Sequence, residues 1–487
     1  MAEIPVALRS ALENPSAATS LDLTGARLAA LPEEIAQLQA LEVLDLSGNA
    51  LLRFPAVVLR LGKLRVLRLN GNPLLALPAD LASLSSLEEL DLTDADLTSL
   101  PASVGKLPRL RSVTFGRNPL VNLPAELKKL AAGGTITSLT LKGLELKALP
   151  KEIALFPDLV ALDVSNNQLN RLPAELEALE RLAVLSISAN KFAAFPELVC
   201  GFRSLQEVHA AGNPLRELTG NIQELKELRV LDLSENKLID VPAAIGGLEQ
   251  LEVLNLAGNR LNELPPNVGR FGRLRRLDLA RNKLASLPAE LAELQALEDL
   301  DLTDDRGLDL DVEFEKIRKL VALRRLVLVN NGVKRLPKPL TELTELRELR
   351  LEYNHIGLFP EEILSLTRLE ELSMHSNRLG AVPEGIGRLA ALRVLDLSRN
   401  ELVSLPDALG ELASLRVFRA TSNRIAAVPA GMGRLASLQE LDVAANQIVQ
   451  FPPEIMGLAS QVRVSWAGNP VGDELRLRLA ERFPLSS

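Results

Sequence analysis

Aromatic side chains are scarce in this sequence: 3% of 487 residues, with Trp466 the single tryptophan and Tyr353 the single tyrosine. Stacking platforms for single-stranded nucleic acid are therefore missing. Positive charge is not in excess either. The chain carries 55 Lys and Arg against 63 Asp and Glu, a formal net charge of -8, which argues against a broad nucleic-acid-binding surface. The lone cysteine, Cys200, excludes a disulfide framework and any multi-cysteine metal site. No uninterrupted apolar run approaches the roughly 18 residues of a membrane span. The opening MAEIPVALRSALENPSAATS lacks a basic stretch followed by an apolar one, so it does not read as a secretory signal. These absences predict a soluble protein of a reducing, cytoplasmic compartment, with export by a signal-less route left open. With 47% hydrophobic and 24% charged residues, the chain is not a disordered one.

What is present is self-similarity. With Leu41 as position 1, Leu44, Leu46, Asn49 and Leu51 fall at positions 4, 6, 9 and 11, and the frame restarts 23 residues later at Leu64. Twenty such units run from Ala18 to Val471. Positions 4 and 6 alternate like a short strand with one buried face. Stacked units place these strands in parallel, about 4.8 Å apart. Position 9 is Asn in most units, and a column of Asn can bond the turn backbone that would otherwise be buried unpaired. The following Leu-Pro step blocks strand pairing and starts a short helical return, whose apolar positions 18 and 21 (Ile35, Leu38) face the same core. Strand and return differ in width, so the stack is expected to curve with its strands inside.

This frame, with its LPxxIxxL segments, resembles the 23-residue leucine-rich-repeat proteins, in particular Ras-scaffold proteins, plant intracellular Ras-group relatives and many bacterial members. The resemblance implies an α/β fold: a right-handed solenoid, horseshoe-curved, of about 20 repeats. A parallel sheet would line its concave face, and short helices and turns its convex one. It also implies binding of a protein partner, with a small GTPase or other signalling protein as one class. Three regions follow: an N-terminal cap (1–17), the solenoid (18–471) and a C-terminal cap (472–487). Ile4 to Leu12 can form one capping helix. Asp473 can N-cap another that carries Leu475, Leu479 and Phe483, and Trp466 would cover the last core layer.

Some units are irregular. Two, at 110–135 and 297–322, run 26 residues and lie eight units apart. The first holds Leu130 to Gly134, read as a flexible convex loop. The second lacks Pro. Either an old duplication or a local break in curvature explains them. In the unit at Leu205, Ala210 replaces a core Leu and Thr219 a Pro, which predicts a cavity unless Phe192, Phe195 or Phe202 fills it. Ala420 has the same gap, with Phe418 able to compensate.

Positions 2, 3, 5, 7 and 8 are expected on the open sheet face. Position 5 is often Asp and position 2 often Arg, either as a solvated surface of weak cross-strand pairs or as a mixed-charge surface that orients a partner. One patch departs from this in adjacent units: Val327 and Val329; Arg350, Glu352 and Tyr353, with His355 at the rim; Ser373 and His375; and Arg419. Tyr and Arg are enriched in interface hot spots, and exposed valines would add apolar area. A second set is Arg68, Asn70, Asp94, Arg117 and Lys142.

Catalytic chemistry finds little support. Glu352 beside His375 suggests an ion pair rather than a metal site, because His355 sits off the strand face. Cys200 falls on the convex side without a matching His, so it reads as structural. An open, wet sheet does not tune paired carboxylates. No Walker loop, dinucleotide fingerprint or kinase signature occurs, and the 16 residues after the last repeat hold no catalytic domain. The expectation is a non-enzymatic scaffold without cofactor or metal, binding protein rather than nucleic acid, of open oligomeric state. The alternative is a bacterial effector that acts on a host protein by binding. A carbohydrate or peptide binder fits less well, given so few aromatics.

Overall fold

A computed structural model describes residues 5–459 and 461–483. It comprises two units, Met1–Asn236 and Lys237–Ser487. The first carries ten three-residue strands, from Ser20–Asp22 to Val230–Asp232, each parallel to the next. The second carries ten more, from Val253–Asn255 to Arg463–Ser465. The register is uniform: Glu348, Leu349 and Arg350 face Glu371, Leu372 and Ser373. Each repeat position therefore forms its own column across the sheet.

The core follows the expected frame. In the repeat from Leu369, the side chains of Leu369, Leu372, Met374, Leu379, Ile386 and Leu389 have no exposed surface. Each contributes about 2 kcal/mol of burial. Position 9 does the predicted polar work. The Asn377 amide donates to Leu351 O of the preceding repeat at 2.8 Å and to Met374 O of its own at 3.0 Å, while its Oδ1 accepts from Ile356 N at 3.0 Å. Position 8 turns the chain: in all twenty repeats its φ lies between +51° and +75°.

The returns are mostly 3-10 turns rather than α-helix, opened by an extended Pro such as Pro383 before Glu384–Arg388. With five residues to spend, the backbone closes i→i+3 bonds, as Leu389 N to Ile386 O at 3.1 Å. Where Pro is missing, Thr219 takes over, its hydroxyl accepting from Asn221 N at 3.2 Å. Phe192, Phe195, Phe202 and Ala210 are all buried, and Phe418 and Ala420 are both fully buried.

Five α-helices occur among the described residues: α1 (Val6–Glu13), α2 (Leu123–Ala131), α3 (Leu310–Ile317), α4 (Pro453–Met456) and α5 (Asp473–Arg482). Helix α1 buries Leu8, while Ile4, expected to begin it, lies outside the described residues. Asp473 is the first residue of α5 and not its cap; Gly472 holds that place without a side-chain bond. Leu479 and Phe483 are buried and Leu475 half-buried. Trp466 is buried, with its indole N–H unpartnered.

The two 26-residue repeats correct a further expectation. Leu130 and Ala131 belong to α2 rather than to a flexible loop. Three extra residues let the return wind as α-helix, capped by Asn122 in α2 and by Asp309 in α3. Each helix buries a Glu that replaces missing backbone partners. Glu126 accepts from Leu100 N at 2.7 Å and pairs with Lys129. Glu313 accepts from Leu287 N at 2.9 Å and pairs with Lys316. Each lysine also donates back to the carbonyl of that same Leu.

The second long repeat also breaks the Asn column. Asp305 stands at position 9, 1% exposed. Its Oδ1 accepts from Leu284 N at 3.0 Å, but Oδ2 has no partner. Burial pushes its pKa up to about 7. A carboxyl with a raised folded pKa favours the folded state most below its unfolded value near 4, and that contribution is lost as pH rises toward 7. Asp305→Asn, which restores the amide donor, should therefore stabilise the protein. The gain should be small near pH 4 and on the order of 2–4 kcal/mol at pH 8. Urea unfolding at the two pH values checks this, and a pH-independent difference would refute it.

Candidate functional site

The strand face carries two kinds of position. At position 5, Asp is structural: its Oδ1 accepts the N–H two residues on. Examples are Asp45 to Ser47 (2.9 Å), Asp232 to Ser234 (3.0 Å), Asp301 to Thr303 (2.9 Å) and Asp396 to Ser398 (2.9 Å). This Asx turn caps the strand exit. Sequence reasoning read the column as surface charge and missed the cap, although the recurring Asp-x-Ser/Thr triplets signal it. At position 2, Arg and Glu pair across strands, with Arg347 and Arg393 both bound to the half-buried Glu370 at 3.1 and 2.7 Å. Such solvated pairs contribute little to stability.

The Asp column is interrupted over three consecutive strands by Val327, Arg350 and Ser373. The structure brings most of the predicted patch together here and alters the role of two members. Val327 is not exposed apolar area. It lies between Asp301 and Arg350 in register, with the half-buried Arg325 two residues back on the same face, and is 3% exposed. Val329 is half-buried. Glu352 is also buried, at 1% exposure, and does not pair with His375. Arg350, two residues earlier on the same face, donates from Nε to its Oε1 at 2.9 Å. The guanidinium is within direct reach, whereas His375 turns to Ser376 Oγ at 3.1 Å. Oε2 of Glu352 has no partner.

His375 is half-buried and meets Tyr353 edge to face, with ring centroids 4.9 Å apart. Tyr353 is exposed and occupies the left-handed position 8 at φ +56°. Bulky residues rarely adopt this conformation, which costs an L-residue about 1–2 kcal/mol. His355 is exposed at the rim. Arg419 binds Glu440 at 2.6 Å. Glu348, Arg350, Glu352, Glu371, His375 and Arg419 line a cavity of about 240 Å3 together with Ser373 and Asp396. Ser373 is a short side chain among long ones there.

The second predicted set is more dispersed. Arg68 is engaged by Glu89 at 3.1 Å and Asp45 at 3.7 Å, and Asn70 accepts from Ser47. Asp94 and Arg117 are exposed left-handed turn residues, and Lys142 is half-buried. Two larger hollows, about 710 and 690 Å3, lie on the loop and return side. The second is lined by Cys200, whose thiol is pushed up to about 12 by burial and by Glu197 and Glu224. Such a shift disfavours the thiolate, the nucleophilic form. Among the described residues, no group of three or more His, Cys, Asp or Glu is placed to hold a metal, and no helix is long and apolar enough to cross a membrane.

A profile of the leucine-rich repeat region matches residues 19–117, 215–312 and 300–424, more than half of the chain. The protein belongs to the leucine-rich-repeat family. Comparison with curated proteins finds no match. Among solved structures it is similar to a leucine-rich-repeat protein of Leptospira interrogans, at 28% identity over 100% of this chain and 99% of that one, with a TM-score of 0.52. It is also similar to the plant peptide hormone receptor RGFR1, solved in complex with RGF2, at 25% identity over 92% and 78% and a TM-score of 0.54. The structure of a TLR13–ssRNA13 complex shares the fold, with a TM-score of 0.65 at 23% identity over 84% and 68%.

Tyr353→Gly should raise stability by about 1 kcal/mol, because glycine enters the left-handed region without steric cost. A urea midpoint unchanged or lowered would show that the Tyr353–His375 contact outweighs the backbone strain.

Proposed function

We propose that this protein is a non-enzymatic scaffold that binds a protein partner through the open sheet face of its second unit, the concave side expected for the family. The observation that carries the reading is the break in the Asp column, where Val327, Arg350 and Ser373 abandon the strand cap beside an exposed Tyr353 held in a costly conformation. The left-handed turn itself belongs to every repeat, but folding does not require an exposed aromatic there, and exposed Tyr beside Arg is a pairing typical of interface hot spots. The similarity to the peptide hormone receptor RGFR1, solved in complex with RGF2, supports a binding role. A sheet whose backbone is ordered before contact loses little entropy on binding. The similarity of the LPxxIxxL repeats to Ras-scaffold proteins favours a signalling partner such as a small GTPase.

Affinity capture from native lysate, comparing the natural protein with Tyr353→Ala and with a charge reversal on the return side, tests the reading. Tyr353→Ala should lower recovery of the partner about tenfold or more, as for an interface hot spot, while the return-side variant retains it. Equal recovery with Tyr353→Ala, or loss only with the return-side change, would overturn it.

A further inference from the structure

The cavity over Ser373 has a charge balance that its own residues leave incomplete. Four carboxylates line it, from Glu348, Glu352, Glu371 and Asp396, against the guanidiniums of Arg350 and Arg419. The position-3 column explains the excess. Arg276 pairs with Asp299 at 3.2 Å, Asp299 with Arg325 at 2.8 Å, and Arg325 with Glu348 at 3.1 Å. The next residue in register is not a cation but Glu371, followed by Val394. Like charges directly opposite on adjacent strands repel. Among the described residues Glu371 has no ion pair. Asp396 spends Oδ1 on its strand cap and has none either, because Arg419 beside it turns to Glu440.

A second, independent feature points the same way. Glu352 lines the cavity, is 1% exposed, and has one oxygen bound to Arg350 while the other meets no donor. A buried carboxylate oxygen without a donor is destabilising, the more so when charged. A cation seated in the cavity would offset the Glu348–Glu371 repulsion, and a small shift of the covered Glu352 side chain would give Oε2 the N–H donor it lacks.

Resting on the sheet-face reading above, we infer that this cavity is a socket for one basic side chain, Lys or Arg, of the protein partner, seated over Ser373 between Glu352, Glu371 and Asp396. The Tyr353–His375 pair stands at its edge, where an aromatic face can cover the aliphatic stem or the cation. Ser373 supplies the space: its neighbours in the column are Arg350 and Asp396, and a long side chain in its place would close the socket.

Selection of a displayed random-peptide library on the full chain tests the assignment, followed by affinity measurement on synthetic copies of the enriched peptides. The expected result is a shared Lys or Arg, whose replacement by norleucine or citrulline weakens binding about tenfold or more. Glu352→Gln, Glu371→Gln and Ser373→Arg should each weaken it similarly. Glu371 is exposed, so its variant reports on binding even if Glu352→Gln alters folding. Peptides that need Tyr353 but share no basic residue, or that bind the Glu371→Gln and Ser373→Arg variants unchanged, would overturn the socket and leave the sheet-face reading standing. Peptides insensitive to Tyr353→Ala as well, or no enrichment at all, would remove both.

Discussion

One side chain, present in sixteen of the twenty repeats, holds this architecture together. The position-9 amide joins two consecutive turns by donating to carbonyls of both and accepting an N–H from the earlier one, as Asn377 does with Leu351, Met374 and Ile356. Those backbone groups are buried between layers of leucine, beyond the reach of water. Each such group left unpaired costs on the order of 1–3 kcal/mol, and the repeats with Ala26, Ala95 and Leu144 at this position go without their own amide. The left-handed residue before it and the short strand preceding that are the geometry that brings the amide into place. Asp305 shows the constraint by partial failure: it keeps the acceptor half of the role and loses the donor half, and its buried carboxyl is held close to neutrality.

Because the column sets the spacing of the repeats, local insertions must be absorbed elsewhere. The two long repeats absorb them in the return, where three additional residues convert a 3-10 turn into α2 and α3. The same internal substitution appears twice, a buried Glu–Lys pair three residues apart that serves the N–H and C=O of one leucine in the preceding repeat. The recurrence of the whole device, and not only of the length, makes the two repeats structural equivalents.

The open face of the sheet divides along the same logic. Asp at position 5 closes a turn, and Arg and Glu at positions 2 and 3 compensate each other along the columns. The Asp cap is missing in several repeats, among them those of Thr114, Thr140, Ser186 and His209, but the strands at Arg325–Val327, Glu348–Arg350 and Glu371–Ser373 combine its longest interruption with two adjacent glutamates and an exposed tyrosine. Binding specificity can be written only where the fold has released its hold on the side chain.

Periodicity made the strands, the Asn column and the apolar frame legible from the residues alone, because each repeats at fixed spacing and each spacing has one mechanical use. It also drew attention to the departures at Tyr353, Arg350 and His375. The sequence could not distinguish an Asp that caps a turn from one that faces a partner, since both are solvent-side carboxylates in a one-dimensional pattern; the Asp-x-Ser/Thr triplet was the available signal. Nor could it show that Val327 and Glu352 are covered, because their burial depends on the reach of arginine side chains two residues away and one strand over. Position in the repeat determined which residues belong to the core. Lateral packing between repeats, where side-chain length decides what is roofed and what is left hollow, determined the buried carboxylate and the cavity over Ser373.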